Sequence, residues 1–306
     1  GNTLEVNAKD VTVKRTRNFK IYQFNLNEGV SENATMLTVA DGFGDGANVQ
    51  WNDIQFDATK WNDVKNANGS THYGKSGTVT ILKTSDNNRH LTIHNTKAEP
   101  LIRTDISGDF EYKLATDNTD AVATAGGSVT VAAVTATVNR IQNANVTYAG
   151  STPVPGNPVS GGYSEYGNNV TTNYLKVANL PAAGLDAAYG GEVAGLVGSV
   201  FGNTLDITGT DDHTSPSPVT RTLTNAYGGA ITNANNAGTV GGLDKYAGNR
   251  AEVNGGTVTN LYGGYTIGAG NVQGNIADVS GGEVTDAAYG GYTTGAGNVE
   301  ENTVAV

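Results

Sequence analysis

Two short motifs alternate through the second half of the chain. A Tyr-Gly-Gly triplet occurs four times, beginning at Tyr189, Tyr227, Tyr262 and Tyr289. The pattern Asn-x-apolar-x-Val/Ile falls between the triplets, beginning at Asn173, Asn203, Asn249, Asn275 and Asn302, the last copy ending at the final residue. Two interleaved motifs with a common spacing are typical of a solenoid, a fold in which each unit contacts only its neighbours.

The spacing of the motifs defines the repeating unit. The last three asparagines of the pattern are 26 and 27 residues apart, and the last two triplets are 27 residues apart. The two earlier triplet intervals are longer, at 38 and 35 residues. Because insertions at fixed phases of a repeat are loops on a stack, we predict repeats of about 27 residues over 121–306, with loop insertions near 208–220 and 233–245.

Each repeat has the pattern of three short strands separated by glycine corners. The Asn-x-apolar-x-Val segment alternates apolar and polar residues, as a half-buried strand does. Glycine pairs permit the positive φ angles of sharp corners, and we expect one corner at each Tyr-Gly-Gly triplet. No apolar stripe at helical spacing occurs in the repeats. The sequence therefore predicts an all-β chain whose repeats form a right-handed parallel β-helix.

Stacking of such repeats gives the recurring polar residues a structural role. Equivalent residues of successive coils would lie about 4.8 Å apart. At that spacing tyrosine rings stack in a column, and asparagine amides form a side-chain ladder. We therefore interpret the four triplet tyrosines, together with Asn249, Asn275 and Asn302, as structural ladders rather than ligand sites.

The first part of the chain differs in character. Both tryptophans, Trp51 and Trp61, lie there, and alternating tracts such as residues 20–26 recur without a fixed period. We predict that residues 1–120 form an irregular β-rich capping region or a small β domain. Solenoids need such caps because an open terminal coil presents bare strand edges.

Composition limits the function. The 306 residues carry a net charge of −11 and no cysteine. The acidic balance argues against nucleic-acid binding, which requires clustered Lys and Arg, and the lack of thiols removes disulfides and thiolate metal sites. No signal peptide or membrane-spanning run is visible, and the sequence stops in the middle of a predicted coil. We expect a piece of a longer protein.

The most regular tract, residues 261–306, resembles the passenger regions of bacterial autotransporters. Its pattern is Tyr-Gly-Gly-Tyr-Thr-x-x-Gly-x-Gly-Asn-Val followed by the Asn-x-apolar-x-Val strand, with looser copies back to about Ser160. The resemblance covers about half of the chain and none of residues 1–150. It implies a β-helical stalk displayed on the outer membrane of a Gram-negative bacterium. The only membrane attachment it implies is a C-terminal barrel anchor, which this sequence lacks. Many such passengers are adhesins, and some carry protease or lipase domains.

Residues with catalytic potential do not form a recognisable set. Asp206, Glu252 and Asp278 share one repeat phase and should line one outer face, either as a solvated face or as a sparse calcium or sugar site. Lys and Arg are scarce in the repeats, which disfavours a lyase. His90 and His94 would lie more than about 13 Å apart on a strand, too far to share a metal. We predict no catalytic residue, no cofactor and no metal.

One insertion is the candidate recognition loop. It is polar and is stiffened by two prolines, and its leading residues are Asp211, Asp212, His213, Thr214 and Ser215. Loops that project from rigid scaffolds often carry recognition, although a loop without a function is the alternative.

The sequence thus predicts a non-enzymatic cell-surface fragment that acts in adhesion or surface display. Its expected partner is a host or bacterial surface glycan or protein, with self-association through open coil edges as a further expectation. One rival hypothesis is a carbohydrate-active enzyme of the β-helix class, a polysaccharide lyase or glycoside hydrolase, which needs at least two carboxylates, or an acid with Lys or Arg, converging across adjacent coils. The other is a structural spacer or fibre-forming surface protein.

Overall fold

The computed structural model of the chain is nearly all β. It describes every residue except 28, 45–47, 62–73, 75–76, 86–90, 96–99, 119–126, 151–157, 182, 211–220 and 243–246. The described residues form 28 strands and one short 3₁₀ turn at Trp51–Asp53. The prediction of an all-β chain is confirmed. In the same described part, no helix is long and apolar enough to cross a lipid bilayer.

The chain divides into two compact units. The N-terminal unit comprises Gly1–His72 and Ser76–Val138, and the C-terminal unit comprises Tyr73–Lys75 and Asn139–Val306. The division falls later than the change of character that the sequence placed near residue 120. A capping role for residues 1–120 stays a prediction.

Twelve strands begin in the N-terminal unit. They are β1 (Asn2–Val6), β2 (Val11–Val13), β3 (Phe19–Asn25), β4 (Thr35–Val39), β5 (Val49–Gln50), β6 (Ile54–Asp57), β7 (Gly77–Lys83), β8 (Leu91–His94), β9 (Ile102–Ser107), β10 (Phe110–Thr116), β11 (Ser128–Val131) and β12 (Ala133–Arg140). They form three sheets with the strand orders β1-β3-β6, β2-β4-β7-β12-β10-β9 and β11-β8-β5. Pairing is mixed, since β4 is parallel to β7 while β12 is antiparallel to β7.

Alternation within single strands builds the core of the N-terminal unit. In β3, Tyr22 and Phe24 are fully buried, whereas their neighbours Ile21 and Gln23 are only half-buried. This is the period of two that a strand with one face on a core must show. Both tryptophans belong to the same buried apolar cluster as Tyr22 and Phe24.

Sixteen strands lie in the C-terminal unit. They are β13 (Asn145–Tyr148), β14 (Val159–Ser164), β15 (Val170–Thr171), β16 (Tyr174–Val177), β17 (Leu185–Val193), β18 (Val200–Phe201), β19 (Thr204–Ile207), β20 (Thr222–Ile231), β21 (Val240–Gly241), β22 (Arg250–Val253), β23 (Thr257–Thr266), β24 (Val272–Gln273), β25 (Ile276–Val279), β26 (Glu283–Thr293), β27 (Val299–Glu300) and β28 (Thr303–Ala305).

These strands form three parallel sheets in which every third strand belongs to the same sheet. The orders are β13-β16-β19-β22-β25-β28, β14-β17-β20-β23-β26 and β15-β18-β21-β24-β27. Each repeat therefore adds one strand to each sheet. Equivalent residues pair directly, as Leu175 with Leu205 and Leu205 with Ala251. All three side chains are fully buried, so the apolar position of the asparagine motif faces the core.

The Tyr-Gly-Gly triplets lie inside strands, so the prediction that they form corners is wrong. The four triplets fall within β17, β20, β23 and β26, and none of their eight glycines has a positive φ. The turns use other glycines, such as Gly256 with φ of 83° and Gly282 with φ of 119°. A positive φ favours glycine because a Cβ atom there meets the backbone.

Candidate functional site

The four triplet tyrosines lie side by side on neighbouring strands of the sheet β14-β17-β20-β23-β26. Ring centroids are 4.8 Å apart for Tyr189 and Tyr227, 4.9 Å for Tyr227 and Tyr262, and 5.3 Å for Tyr262 and Tyr289. The ring planes differ by at most 13°. We call this set the tyrosine column.

A second pair of tyrosines packs against this column. Tyr265 and Tyr292 are register partners, with stacked rings 5.9 Å apart. The Tyr265 ring lies 5.3 Å from Tyr262 at an interplanar angle of 62°, an edge-on contact. The sequence analysis did not predict a position for these two tyrosines. They are the fourth residue of the Tyr-Gly-Gly-Tyr pattern in the last two repeats, and that recurrence could have indicated a second stacked pair.

Stacking limits what the tyrosine column can bind. Adjacent rings less than 5.5 Å apart cover each other's faces, so a sugar ring cannot enter between them. Exposure rises along the column, from 8% for Tyr189 to 36% for Tyr289. Burial raises the pKa of Tyr189, Tyr227 and Tyr262 above the ordinary value, because the phenolate would lose its hydration.

An asparagine column runs beside the glycines of the triplets. Its members are Asn173, Asn203, Asn249, Asn275 and Asn302. At each step the side-chain Nδ2 donates to Oδ1 of the next asparagine at 2.8–2.9 Å. The backbone N–H donates to the same Oδ1 at 2.9–3.2 Å. Each Oδ1 from the second asparagine onward therefore accepts two hydrogen bonds.

The remaining amide protons of the asparagine column also have partners. Nδ2 of Asn249 donates to the Val200 carbonyl at 2.9 Å, and Nδ2 of Asn275 donates to the Val240 carbonyl at 3.0 Å. Both asparagines are fully buried. Buried amides are tolerated because their hydrogen bonds replace those to water. The column is thus a structural element of the interior, with no free group for a ligand at these two positions.

The triplet positions require glycine because neighbouring atoms approach their Cα atoms closely. A Cβ atom added at Gly190 would lie 2.5 Å from the Gly228 carbonyl oxygen on the next strand. One added at Gly191 would lie 2.6 Å from Cγ of Asn203. The first glycine therefore admits the neighbouring backbone and the second admits the asparagine amide. This explains why the two sequence motifs recur together.

The three acids of one repeat phase are neighbours in register but are already engaged. Asp206 pairs with Glu252, and Glu252 with Asp278. Arg250 forms ion pairs with Glu252 and with Asp278. Asp206 is only 8% exposed, so the prediction that it lies on an outer, solvated face is wrong. The acids stabilise the sheet face through these contacts.

Asp206 is held by two donors from neighbouring strands and turns. The Tyr174 hydroxyl donates to its Oδ2 at 2.5 Å, and Nδ2 of Asn254 donates to its Oδ1 at 2.8 Å. Burial and then the hydrogen bond to Asp206 raise the pKa of Tyr174 to about 12. Among the described residues, no three His, Asp or Glu side chains are grouped so that they could hold a metal ion.

Glu192 is a further buried acid of the repeats. It is 7% exposed and accepts hydrogen bonds from Ser160 Oγ at 3.2 Å and Thr232 Oγ1 at 3.0 Å. Its register position is the one that Tyr265 and Tyr292 occupy in later repeats. The two hydroxyl donors satisfy the carboxylate where those repeats place a ring.

The candidate recognition loop, Asp211 to Ser215, lies outside the described residues. Of the second predicted insertion, residues 233–242 are described. Residues 233–239 lie in the connection from β20 to β21, and β21 itself lies within the stretch that was predicted as a loop. Of the histidines, His94 is described; it lies on β8 opposite Ser128. The structure therefore brings the predicted ladder tyrosines together and the predicted ladder asparagines together. The role of the candidate recognition loop has to be tested by experiment.

Comparison with known proteins returns no relative. No model of a protein family matches the chain, and no curated protein or solved structure matches it significantly. Function has to be argued from the site itself.

Proposed function

We propose that this chain is a non-enzymatic piece of a bacterial cell-surface protein that acts in adhesion or surface display. In this proposal residues 139–306 are a right-handed parallel β-helix of the autotransporter passenger type. The sheet order supports the proposal, because a chain that gives one strand to each of three parallel sheets in every repeat winds around a common axis.

The asparagine column is the observation that carries the proposal. It links five successive repeats through hydrogen bonds that both the side chain and the backbone N–H of each member donate to the side-chain oxygen of the next. Buried, fully paired polar groups fix the register of neighbouring strands, because any slip leaves several of them unpaired. Fixed register over many repeats gives a stiff scaffold, which suits display more than turnover.

Recognition in this proposal belongs to the insertions. The loop led by Asp211 is a polar insertion in the repeat array, and its partner is a surface glycan or protein of a host or of another bacterium. The site of action is the outer surface of a Gram-negative cell. The tyrosine column is support for the scaffold, since its ring faces are covered.

The test combines display with binding. In the first experiment the full chain is fused to an outer-membrane anchor on a non-adherent bacterium, and the cells that adhere to epithelial layers are counted. In the second, the purified chain is applied to a glycan array and to polysaccharide substrates. We expect adhesion that is lost when residues 211–218 are deleted, with an unchanged far-UV CD spectrum and melting temperature.

Other outcomes point to the rival functions. Shortening of a polysaccharide by the purified chain would contradict the proposal in favour of a carbohydrate-active enzyme. Display without adhesion or array binding would favour a structural spacer or fibre-forming protein.

A further inference from the structure

Strand β9 lies at the edge of the six-stranded sheet in the N-terminal unit. It pairs antiparallel with β10 on one side, and no strand among the described residues pairs with its other side. Ile102 and Ile106 are 42% and 51% exposed, and Thr104 between them is exposed. Natural edge strands are usually blunted by lysine, proline or a bulge, because unpaired edges attract other strands. β9 contains no lysine or proline, its pairing with β10 is in continuous register, and its two charged residues, Arg103 and Asp105, have opposite signs.

The free edge presents backbone hydrogen-bonding groups. The N–H of Ile102 donates to the Pro100 carbonyl at 2.8 Å, and the N–H of Ile106 donates to Asp105 Oδ1 at 2.9 Å. Both donors thus bond locally rather than to β10. Since alternate residues of an antiparallel strand point their backbone groups to opposite sides, the N–H and C=O of Thr104 face the same free edge.

The sequence of β9 is complementary to itself when read in reverse. Antiparallel pairing centred on Thr104 would place each Ile102 opposite Ile106 of the other strand, and each Arg103 opposite Asp105. Apolar residues then meet apolar residues, and each charge meets its opposite. Cross-strand pairs of these kinds stabilise antiparallel sheets, whereas like charges directly opposite destabilise them.

Arg103 is ordered by two contacts within its own chain. Its Nη2 donates to the Ile54 carbonyl at 2.6 Å, and its guanidinium lies 5.8 Å from the ring centroid of Trp51. A cation that is already ordered loses little side-chain entropy when it pairs. Asp105, by contrast, is exposed, and its Oδ1 is released when the Ile106 N–H pairs with the second strand instead.

We propose that β9 is a homodimerisation strand, which pairs antiparallel with β9 of a second copy of this chain about a two-fold axis through Thr104. The contact joins two six-stranded sheets into one continuous sheet across the dimer. It covers the exposed isoleucines and replaces the two local backbone hydrogen bonds with inter-strand ones. The proposal does not depend on the adhesive function and needs none of the residues of the repeats.

Cross-linking tests the geometry. The native chain has no cysteine, so Thr104→Cys introduces a single thiol on the proposed axis. Directly opposed, hydrogen-bonded residues in an antiparallel pair have Cα atoms about 5.5 Å apart, within the range of a disulfide. We expect mild oxidation to give a disulfide-linked dimer. Thr130→Cys, an exposed threonine on the other antiparallel edge strand β11, is the matched control and should stay largely monomeric.

Sedimentation equilibrium of the full chain tests the energetics. We expect the weight-average mass to rise from one chain toward two with concentration. Asp105→Lys places like charges opposite each other twice in the dimer, and it should weaken association about tenfold or more. Asp186→Lys makes the same change in charge at an exposed position of β17, which has a partner strand on both sides, and should leave association unchanged.

A mixing experiment separates a specific contact from a general charge effect. Arg103→Glu alone should also weaken association, because the introduced carboxylate would face Asp105 of the other strand. A mixture of the Arg103→Glu and Asp105→Lys chains restores both opposite-charge pairs and should form a heterodimer. Thermal melting of each variant confirms that it is folded. A wild-type chain that stays monomeric at every concentration, a dimer indifferent to Asp105→Lys, or equal cross-linking at Thr104 and Thr130 would each overturn the proposal.

Discussion

The two units of the chain are built from β-strands but bury different kinds of side chain. The largest fully buried side chains of the N-terminal unit include Trp61, Tyr22, Phe24 and Phe110. The described core clusters of the C-terminal unit contain Val, Leu, Ile and Ala with one aromatic residue, Tyr148. To this core the C-terminal unit adds the buried asparagine column. The N-terminal core thus adds seven aromatic side chains to its aliphatic ones, whereas the C-terminal core is almost wholly aliphatic and is fixed in register by polar pairs.

The largest expected effect tests the apolar side of this comparison. Phe24→Ala removes a fully buried ring and should lower the free energy of unfolding by about 4 kcal/mol. Both tryptophans lie in the N-terminal unit, so tryptophan fluorescence during urea unfolding reports on that unit alone. We expect the fluorescence midpoint to fall more than the midpoint measured by far-UV CD. Phe24→Leu is the control and should cost clearly less.

Breaking the asparagine column should cost almost as much, and in the other unit. Asn249→Ala leaves the side-chain and backbone N–H groups of Asn203 without their acceptor, and we expect a loss of about 3 kcal/mol. The CD-monitored midpoint in urea should fall while the tryptophan midpoint moves less. Asn235→Ala changes an exposed asparagine and should stay within about 0.5 kcal/mol of the parent. If Asn249→Ala and Asn235→Ala lowered the free energy of unfolding equally, the asparagine column would not be a source of stability in the C-terminal unit.

The tyrosine column should contribute less. Tyr262→Ala removes two stacked contacts from a half-buried ring and should lower stability by about 1–2 kcal/mol without changing any ligand binding. Tyr262→Phe keeps the stacking and should be close to the parent in a thermal melt. A Tyr262→Ala chain as stable as the parent would show that the column is not a source of stability.

The smallest expected effect is a pH dependence in the C-terminal unit. The pKa of Tyr174 is raised to about 12 in the folded chain, above the ordinary tyrosine value of 10.0. The contribution of a raised pKa is fully present below pH 10 and is lost as the pH rises toward 12. Tyr174→Phe should therefore flatten the fall in stability between pH 10 and pH 12, as followed by urea unfolding at each pH. A slope identical to that of the parent would show that ionisation of Tyr174 does not contribute to this loss of stability.

The repeat array was readable from sequence because its contacts join equivalent residues. When Leu175, Leu205 and Ala251 recur at one phase, their spacing alone indicates that they pair and face the core. The antiparallel pairing of β7 with β12 has no such signal, because it joins two unlike segments far apart in the chain. Sequence periodicity predicts contacts between equivalent residues of successive repeats. It gives no information on contacts between strands of unrelated sequence.

The errors at the candidate site have physical causes. A glycine pair was interpreted as a turn, yet Gly190 and Gly191 lie inside a strand, where the lack of a side chain admits the neighbouring backbone and Asn203. The polar face of the repeats was taken as solvated, yet Asp206 is covered by Tyr174 and Asn254. In both cases the deciding contact comes from another repeat, which a pattern within one repeat cannot indicate.

The direction of the asparagine column has an evolutionary consequence. Nδ2 of each of the first four members donates to the following repeat, so these amide dipoles all point the same way along the column. Duplication or loss of one whole repeat would preserve this head-to-tail order and simply change the number of links. A gene encoding such an array can therefore lengthen or shorten its product in steps of one repeat, each adding about 4.8 Å, without redesigning the interior.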